Sequence, residues 1–161
     1  MYDIQRENPQ DWGEVETLYD LCFTPGRWAL SSYRLRENTP PVIDLCRVAH
    51  DDTGALVGAI RFWPVRVGLA QALLLGPIAV HPTRQGEGLG ARLIRDGVNA
   101  AVAANWARVL LVGDAPYYAR FGFRRLTGVN MPPPTNPDRV LGRGDWCGVS
   151  GPVTACADYG R

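Results

Sequence analysis

Residues 76–90 read Gly-Pro-Ile-Ala-Val-His-Pro-Thr-Arg-Gln-Gly-Glu-Gly-Leu-Gly, and they join an apolar run to a helical pattern. The run Ala70–Val80 is almost wholly apolar, which is typical of a strand buried on both faces. Residues 91–105 carry apolar side chains at helical spacing, on a face that includes Leu93 and Val98. A strand, a glycine loop and a helix in this order predict an anion site, because free amides and the positive end of the helix dipole point at the ligand.

The pair Gly76-Pro77 interrupts the apolar run. Proline has no amide hydrogen to give to a neighbouring strand, so within a sheet it is confined to bulges and edges. We therefore predict a break or bulge in the middle of this strand.

Two familiar phosphate-binding loops fit the glycine pattern poorly. All seventeen basic residues are arginine, so the chain lacks the lysine of a nucleotide-hydrolase phosphate loop and cannot form a lysine Schiff base. Gly86-x-Gly88-x-x-Ala91 matches the dinucleotide fingerprint in letters, with Asp114 as a ribose-binding acid. However, five residues separate the strand from the first glycine, and the 47 residues after Asp114 are too few for the second half of that fold.

The rest of the sequence predicts one domain over residues 1–161, with its cofactor-binding core at about 70–126. Upstream we expect a helix over 15–22 that Pro25-Gly26 ends, a shorter helix over 31–38, and a hairpin of 42–49 and 55–62. Downstream we expect a strand over 108–113, a helix over 117–121 capped by Asp114 and ended by Gly122, and a strand over 123–126. Residues 131–143 are predicted as loop and residues 146–156 as a last strand.

Composition narrows the class of partner. Seventeen basic and sixteen acidic residues leave a formal charge of +1, so neither nucleic acid nor a membrane is the expected partner. The N-terminus has no signal pattern, and no apolar run approaches the ~18 residues of a membrane span, so we expect a cytoplasmic protein. The four cysteines and two histidines are too widely spaced to predict a metal site.

Two motifs at a fixed separation carry a family resemblance. Gln85-x-x-Gly88-x-Gly90 after a strand, with Tyr118-x-Arg120-Phe121-Gly122-Phe123 about 28 residues later, resembles motifs A and B of the Gcn5-related N-acetyltransferase (GNAT) superfamily. The chain is most similar to small bacterial acetyltransferases with the motif Gly-Asp-x-x-Tyr-Tyr-x-Arg-Phe-Gly-Phe. The resemblance implies an α/β (α+β) fold: a mixed, mostly antiparallel central sheet with a bulged, splayed strand pair and flanking helices.

The resemblance also implies acetyl-CoA as co-substrate and assigns its contacts. The backbone of the bulged strand would pair with the pantetheine arm through Ile78, Ala79 and Val80. Amides of the glycine loop would hold the pyrophosphate, namely those of Gln85, Gly86, Glu87, Gly88, Leu89 and Gly90, with the side chain of Leu89 in the core. Arg84 would meet a phosphate with its fork of donors or remain a solvated charge, and Asp114 and Tyr117 complete the expected cofactor contacts. The next strand would splay away and leave a slot for the thioester.

Tyr118 is the predicted catalytic residue. Attack of a primary amine on the thioester in a ternary complex expels a thiolate, and a phenol beside the sulfur can donate a proton to it. Tyr118 stands four residues before Gly122, as the motif requires, whereas Tyr117 faces another side of its helix.

The sequence does not identify the general base that would deprotonate the amine, nor the molecule that accepts the acetyl group. Members that modify histones place a glutamate on the bulged strand, but this chain has Leu73-Leu74-Leu75 there. Deprotonation would pass through water to Glu87, His81, Asp44 or Glu37, or need no dedicated base. Five aromatic residues would either pack in the core or line an acceptor pocket: Trp28, Tyr33, Trp63, Trp146 and Tyr159. Arg61 and Arg143 are candidate partners for an acceptor carboxylate.

Several alternatives stay open at this point. The acceptor candidates are an amino acid, a polyamine, an aminoglycoside and a protein N-terminus, and the protein is expected to be a monomer or homodimer. A non-catalytic CoA-binding sensor and a transferase for a different acyl group are the rival functions.

Overall fold

The apolar run forms the central strand β4 over Ala70–Val80, the predicted range. In the computed structural model, which describes residues 1–23 and 31–159, β4 follows three strands and two helices: β1 Asp3–Arg6, α1 Trp12–Phe23, α2 Ser31–Arg34, β2 Arg47–His50 and β3 Leu56–Val67. After it come α3 Leu89–Ala103, β5 Arg108–Val112, α4 Ala115–Tyr118, β6 Arg124–Arg125, β7 Val129–Asn130, β8 Val140–Gly144 and β9 Gly151–Ala155.

The sheet is mixed and mostly antiparallel, as predicted. Its main path runs β1-β2-β3-β4-β5-β8-β6, with β9 joining β3 and β7 off this path. Only the β4–β5 and β7–β9 pairings are parallel among the described residues. The parallel pair β4–β5 is possible because α3 carries the chain back across the sheet between them.

The two faces of the sheet are covered by helices at different places. Helix α3 buries Leu93, Ile94 and Val98 in the main core, together with Phe62 and Leu73 of the sheet. On the opposite face, α1 packs its own apolar side chains against β2, β3 and β4 in a smaller cluster. The sheet is therefore buried on both sides along β3 and β4, which explains their nearly continuous apolar sequence.

The predicted bulge lies where the proline stands. The pairing of β3 with β4 shifts register between Ile60 and Phe62, opposite Gly76-Pro77, and Gly76 has a φ of 128°, which favours glycine. Two side chains hold the bulge from outside the strand. The indole Nε1 of Trp63 donates to the Gly76 carbonyl at 2.6 Å, and the Tyr19 hydroxyl donates to the Pro77 carbonyl at 2.8 Å.

Beyond the bulge β4 separates from β5. Their pairing covers Leu73 with Val109 and Leu74 with Leu110, and it ends before Gly76. From Ile78 to Val80 the described structure pairs β4 with β3 alone. The predicted splay is thus confirmed, and it leaves one edge of β4 open.

Some predicted elements were wrong in extent. The predicted loop over 131–143 contains the start of β8, because Val140 and Leu141 follow the last proline and pair with β5. The predicted helix over 31–38 is helical only to Arg34, and the predicted strand over 42–49 starts at Arg47 after a 3₁₀ turn. Strand β1 was not predicted, since its mostly polar residues show no buried alternation. The expected helix stop at Pro25-Gly26 lies outside the described residues.

Candidate active site

A cavity of about 360 Å³ occupies the opening between β4 and β5, and we call it the slot. Its walls include Leu74, Gly76, Pro77 and Ile78 of β4, Leu111 and Val112 of β5, and Tyr118. Among the described residues that line it, Arg36 is the one charged side chain. The slot is therefore a mainly apolar space with a phenol on one side and a guanidinium on another.

The chain after β5 places Tyr118 in the slot. Asp114 caps α4, where its Oδ2 accepts from the amide of Tyr117 at 3.2 Å. Gly113 allows the ring to approach the backbone, since a Cβ at that position would lie 2.5 Å from Cε2 of Tyr118. Gly122, with a φ of 85°, then ends the following 3₁₀ turn as predicted.

Burial changes the acidity of this phenol. Loss of solvent raises the pKa of Tyr118 to about 12, and the neighbouring Tyr117 and Asp114 act in the same direction, while Arg139 opposes them. The side chain is consequently protonated at neutral pH, which is the form that a proton donor needs.

Tyr117 faces the glycine loop instead of the slot. Its hydroxyl lies 3.9 Å from the place of a Cβ on Gly90, and its ring meets that of Tyr118 edge-on at 5.0 Å. The guanidinium of Arg120 lies over the Tyr117 ring at 4.6 Å. The side chains of the two adjacent tyrosines thus point in different directions, Tyr117 toward the glycine loop and Tyr118 into the slot, as their helical spacing predicts.

The glycine loop leads into α3 with its backbone uncovered. Gly86 and Gly88 have φ values of 84° and 83°, and a Cβ at either position would meet no atom within 4 Å. Leu89 is 1% exposed and packs in the main core, which confirms its predicted side-chain position. The two glycines therefore leave open space beside the loop backbone, while Leu89 anchors the start of the helix.

Three polar residues, one just before this loop and two within it, contact other parts of the protein. The Gln85 side chain donates to the Val80 carbonyl at 3.1 Å, and Glu87 accepts from the Tyr2 hydroxyl. Arg84 forms an ion pair at 2.9 Å with Asp51 of the β2–β3 hairpin turn. The Thr53 hydroxyl and, to a lesser degree, this arginine hold the pKa of Asp51 well below its usual range.

A second cavity of about 480 Å³, which we call the side cavity, adjoins the slot. Tyr33, Arg36 and Pro77 line both. Its remaining walls are largely aromatic and proline side chains, with carboxylates at Glu16 and Glu37: Trp12, Glu16, Tyr19, Glu37, Asn38, Thr39, Pro40, Pro41, Arg61 and Trp63.

The charge of Arg61 at the wall of the side cavity is balanced internally. Its guanidinium, 2% exposed, donates to both carboxylate oxygens of Glu7 at 3.0 and 2.9 Å and to Glu16 at 2.6 Å. It also lies 3.7 Å above the ring of Trp12. We call Glu7, Arg61 and Glu16 the buried triad. Arg61 is therefore not available to an acceptor carboxylate, contrary to the expectation from sequence.

The other residues considered for the acceptor divide into two groups. Tyr33, Trp63 and Glu37 line the cavities. Arg143 contacts Gly122 away from both cavities, Trp146 packs in a core cluster with Leu110 and Val140, and Tyr159 packs on Trp106. His81, Asp44 and Glu87 do not line either cavity, and Trp28 lies outside the described residues.

Sequence reasoning missed Arg36, which lies between the two cavities. Its guanidinium is 4.4 Å from the Tyr33 ring centroid and 5.8 Å from that of Trp63. The sequence does contain an indication of this position, because Tyr33 and Arg36 are three residues apart and this spacing places two side chains on one face of a helical turn.

Neither a membrane-spanning helix nor a metal cluster is found in the part of the chain that the structure describes. No described helix is long and apolar enough to cross a bilayer. No group of three or more His, Cys, Asp or Glu side chains among residues 1–23 and 31–159 is arranged to hold a metal ion.

Comparison with known proteins identifies the family. Residues 43–125 match the family model of the acetyltransferase (GNAT) domain. The N-acetyltransferase YhbS of Escherichia coli K12 is 32% identical over 122 residues, which are 74% of this chain and 72% of that protein. The chain therefore belongs to the GNAT family of acetyltransferases and is an acyltransferase.

Solved structures of relatives agree with the fold class. The crystal structure of Escherichia coli YhbS in complex with CoA gives a TM-score of 0.81 at 27% identity, over 99% of this chain and 92% of that one. A GNAT family acetyltransferase from Brucella melitensis in complex with acetyl-CoA gives 0.69 at 31% identity, over 99% and 98% of the two chains. The bulged and splayed sheet is thus the GNAT fold.

Proposed function

We propose that this protein transfers the acetyl group of acetyl-CoA to a primary amine of a small molecule or a protein N-terminus, by direct attack in a ternary complex. The observation that carries the proposal is the Tyr118 phenol at the wall of the slot, where β4 and β5 separate. Two similar proteins whose structures contain CoA or acetyl-CoA support the choice of co-substrate.

The residues around the slot fit acetyl-CoA. The open edge of β4 at Ile78, Ala79 and Val80 would pair with the amides of the pantetheine arm, as an added strand would. The amides of residues 85–90, where Gly86 and Gly88 leave open space beside the backbone, would bind the pyrophosphate at the start of α3. Tyr117 would contact the cofactor from the loop side, with Asp114 holding its helical turn. Arg84 would add a phosphate contact next to its ion pair with Asp51.

Tyr118 would act as the general acid. The nitrogen lone pair adds to the thioester carbonyl carbon, a C–N bond forms, and the C–S bond then breaks with its electron pair on sulfur. The phenol gives its proton to that sulfur and regains one from the nitrogen through water. Burial keeps the phenol protonated at neutral pH, so that it has a proton to give to the thiolate as the C–S bond breaks.

The attacking amine must first lose the proton of its ammonium form, whose pKa is near 10. Glu37 is the best placed of the acids named from sequence, because it lines the side cavity and is exposed to water. We propose that the proton leaves through water along this wall of the side cavity. The apolar residues Leu73, Leu74 and Leu75 of β4 offer no carboxylate of their own.

Release of free CoA thiol from acetyl-CoA, measured against a panel of primary amines, tests the proposal. Tyr118→Phe should lower kcat by about 10²- to 10⁴-fold, the usual contribution of general acid catalysis, and leave the Kd of acetyl-CoA unchanged. Tyr117→Phe should instead raise the KM for acetyl-CoA. Tyr159→Phe, at a partly exposed ring that packs on Trp106 and lines neither cavity, is the matched control.

The same assay separates the rival functions. Binding of acetyl-CoA without thiol release for any amine would overturn the enzyme proposal in favour of a sensor. Faster turnover with succinyl-CoA or a longer acyl-CoA than with acetyl-CoA would overturn the choice of acyl group. A cytoplasmic location, a single domain over residues 1–161 and a monomeric or homodimeric state stay predictions.

A further inference from the structure

A groove of about 320 Å³ lies apart from the slot and the side cavity, and three arginines line it. They come from three different elements: Arg95 from α3, Arg120 from the 3₁₀ turn after α4, and Arg143 from β8. We call this space the arginine groove. Arg95 and Arg120 are exposed and Arg143 is half-buried, so a dissolved anion can reach the groove.

No carboxylate among the described residues forms an ion pair with these three arginines. The surrounding stretch, residues 89–143, contains eight arginines and only three acids. Each of the three acids is engaged elsewhere: Asp96 by Arg47, Asp138 by Arg125, and Asp114 in capping α4. The groove therefore gathers three like charges, which repel one another until an anion lies between them.

Aromatic rings orient two of the guanidinium groups at the groove. The Cζ atom of Arg95 lies 5.2 Å from the ring centroid of Phe121, and that of Arg120 lies 4.6 Å from the ring centroid of Tyr117. The Nε atom of Arg120 also donates to the Tyr117 carbonyl at 3.1 Å. This contact leaves the terminal nitrogens of Arg120 for a ligand.

The number of arginines indicates the kind of anion. A carboxylate has two oxygens and a single charge, which one guanidinium fork can match. A phosphomonoester has three terminal oxygens and a charge of about −1.5 to −2 at pH 7, so it can accept from three arginines at once. Val98, Asn99 and Phe121 form the rest of the wall and would contact the group that carries the phosphate.

The arginine groove lies next to the glycine loop. Tyr117 stands between them, because its hydroxyl is 3.9 Å from the place of a Cβ on Gly90 and the Arg120 guanidinium covers its ring. Acetyl-CoA carries one phosphomonoester, on the 3′ position of its ribose and a few bonds from the pyrophosphate. A separate phosphorylated small molecule is the other possible source of the same group.

We propose that the arginine groove is a binding site for a phosphomonoester, whose oxygens accept hydrogen bonds from Arg95, Arg120 and Arg143. If the phosphate is that of acetyl-CoA, the inference rests on the proposed function, and the groove makes the protein prefer acetyl-CoA to its 3′-dephospho form. If the phosphate belongs to a separate molecule, the groove binds that molecule beside acetyl-CoA. The role is one of binding in both cases, because the groove lies away from Tyr118 and the slot.

The first arm of the experiment compares acetyl-CoA with acetyl-3′-dephospho-CoA by isothermal titration calorimetry. If the 3′-phosphate occupies the groove, the wild type should bind acetyl-CoA about 10- to 100-fold more tightly, the range for hydrogen bonds to a charged group. Arg95→Gln, Arg120→Gln and Arg143→Gln should each raise the Kd of acetyl-CoA about 10-fold. The Kd of the dephospho form should change by less than about twofold, because that form lacks the group that the arginines contact.

The second arm titrates phenyl phosphate into the protein, with and without saturating acetyl-CoA. If a separate molecule occupies the groove, phenyl phosphate should bind in both cases, and each of the three substitutions should weaken its binding. If the 3′-phosphate occupies the groove, phenyl phosphate should bind only the protein without acetyl-CoA. Arg120→Lys, which keeps the charge without the fork, should recover part of the loss that Arg120→Gln causes.

Arg124→Gln is the matched control. It removes the same charge from an exposed arginine of β6 that does not line the groove. A wild type that binds both forms of acetyl-CoA equally and does not bind phenyl phosphate saturably would overturn the inference. An equal loss in Arg124→Gln and in the three groove variants would also overturn it, because the effect would then come from net charge alone. Binding of phenyl phosphate at the groove in a protein that neither binds acetyl-CoA nor releases thiol would instead reject the proposed function and leave the site standing.

Discussion

The pKa of the Tyr118 phenol depends on the residues that surround it in the folded protein. Its spacing from Gly122 identified it in the sequence, but the sequence holds no direct information on how deeply a side chain is buried. Burial raises the pKa of this phenol to about 12, whereas an unperturbed phenol has a pKa near 10. The phenol therefore keeps its proton over a wider pH range than a solvated tyrosine would.

The first prediction concerns the alkaline limb of the rate profile. Tyr118 must be protonated to act, so its contribution to kcat is present below its pKa and is lost as pH rises through that value. With a pKa near 12, about 97% of the side chain is still protonated at pH 10.5, against about 24% for a pKa of 10. Single-turnover rates at saturating substrates should show no fall from pH 8 to 10.5.

A control identifies the group responsible for any fall that is seen. Tyr118→Phe should be slower at every pH and should follow the same profile. A wild-type midpoint near pH 10 that disappears in Tyr118→Phe would contradict the assigned burial of the phenol.

The arginines show why single residues are hard to assign from sequence. Arg61 and Arg143 were candidates for an acceptor carboxylate, but the partner that balances Arg61 is Glu7, which lies 54 positions away. Arg36 was not a candidate, yet the turn after α2 places it between both cavities. Which arginine is paired and which lies beside a cavity depends on contacts between distant segments, and these are fixed only when the sheet is assembled.

The bulge in β4 is the element that opens the slot. Gly76-Pro77 predicts it directly, because proline cannot take part in the strand pairing. The side chains that hold it could not be predicted, since Tyr19 comes from α1 and Trp63 from β3. Each gives a hydrogen bond to a carbonyl of the bulge, so the opening is fixed from two sides.

The second prediction tests this support. Tyr19→Phe removes the donor to the Pro77 carbonyl and should lower the free energy of unfolding by about 0.5–1.5 kcal/mol, because a part-buried acceptor loses its partner. Urea denaturation measures the change. Acetyl-CoA should also bind more weakly, since the edge of β4 that would hold the pantetheine arm follows the bulge.

Tyr159→Phe is again the matched control, because its ring is 40% exposed and should affect stability by no more than about 0.5 kcal/mol. Equal stability of Tyr19→Phe and the wild type, with unchanged affinity for acetyl-CoA, would show that the bulge does not need this hydrogen bond.

The elements that the sequence predicted best have strong local signals. Strand β4 and helix α3 have long apolar patterns, and the turn from Asp114 to Gly122 has a cap at one end and a glycine at the other. Strand β1 and the start of β8 lack such patterns. They form strands because they pair with β2 and β5, respectively. These pairings join segments that are far apart in the sequence, so a local pattern does not predict them.

At the scale of the whole molecule, the buried triad joins three separate parts of the chain. Glu7 follows β1, Glu16 belongs to α1, and Arg61 lies in β3 opposite the bulge. Because Arg61 and Glu7 are almost fully buried, neither can be solvated if the other is removed. The triad therefore fixes α1 over the sheet, and α1 supplies Trp12 and Tyr19 to the side cavity.

The third prediction follows from this burial. Arg61→Met leaves the Glu7 carboxylate without its counter-charge and should lower the free energy of unfolding by about 3–5 kcal/mol. Arg66→Met breaks an exposed pair with Asp158 and should cost about 0–1 kcal/mol. Urea denaturation of both variants gives the comparison, and Glu7→Gln added to Arg61→Met should recover part of the loss. Similar costs for Arg61→Met and Arg66→Met would contradict the role of the triad.

The most direct test of the account is the position of the CoA sulfur in a crystal structure of this protein with CoA. We expect the pantetheine arm along Ile78–Val80, the pyrophosphate at residues 85–90, and the sulfur within hydrogen-bonding reach of the Tyr118 hydroxyl, about 3.5 Å for a contact to sulfur. A sulfur nearer to another ionisable side chain, or a pantetheine arm outside the opening between β4 and β5, would contradict the account.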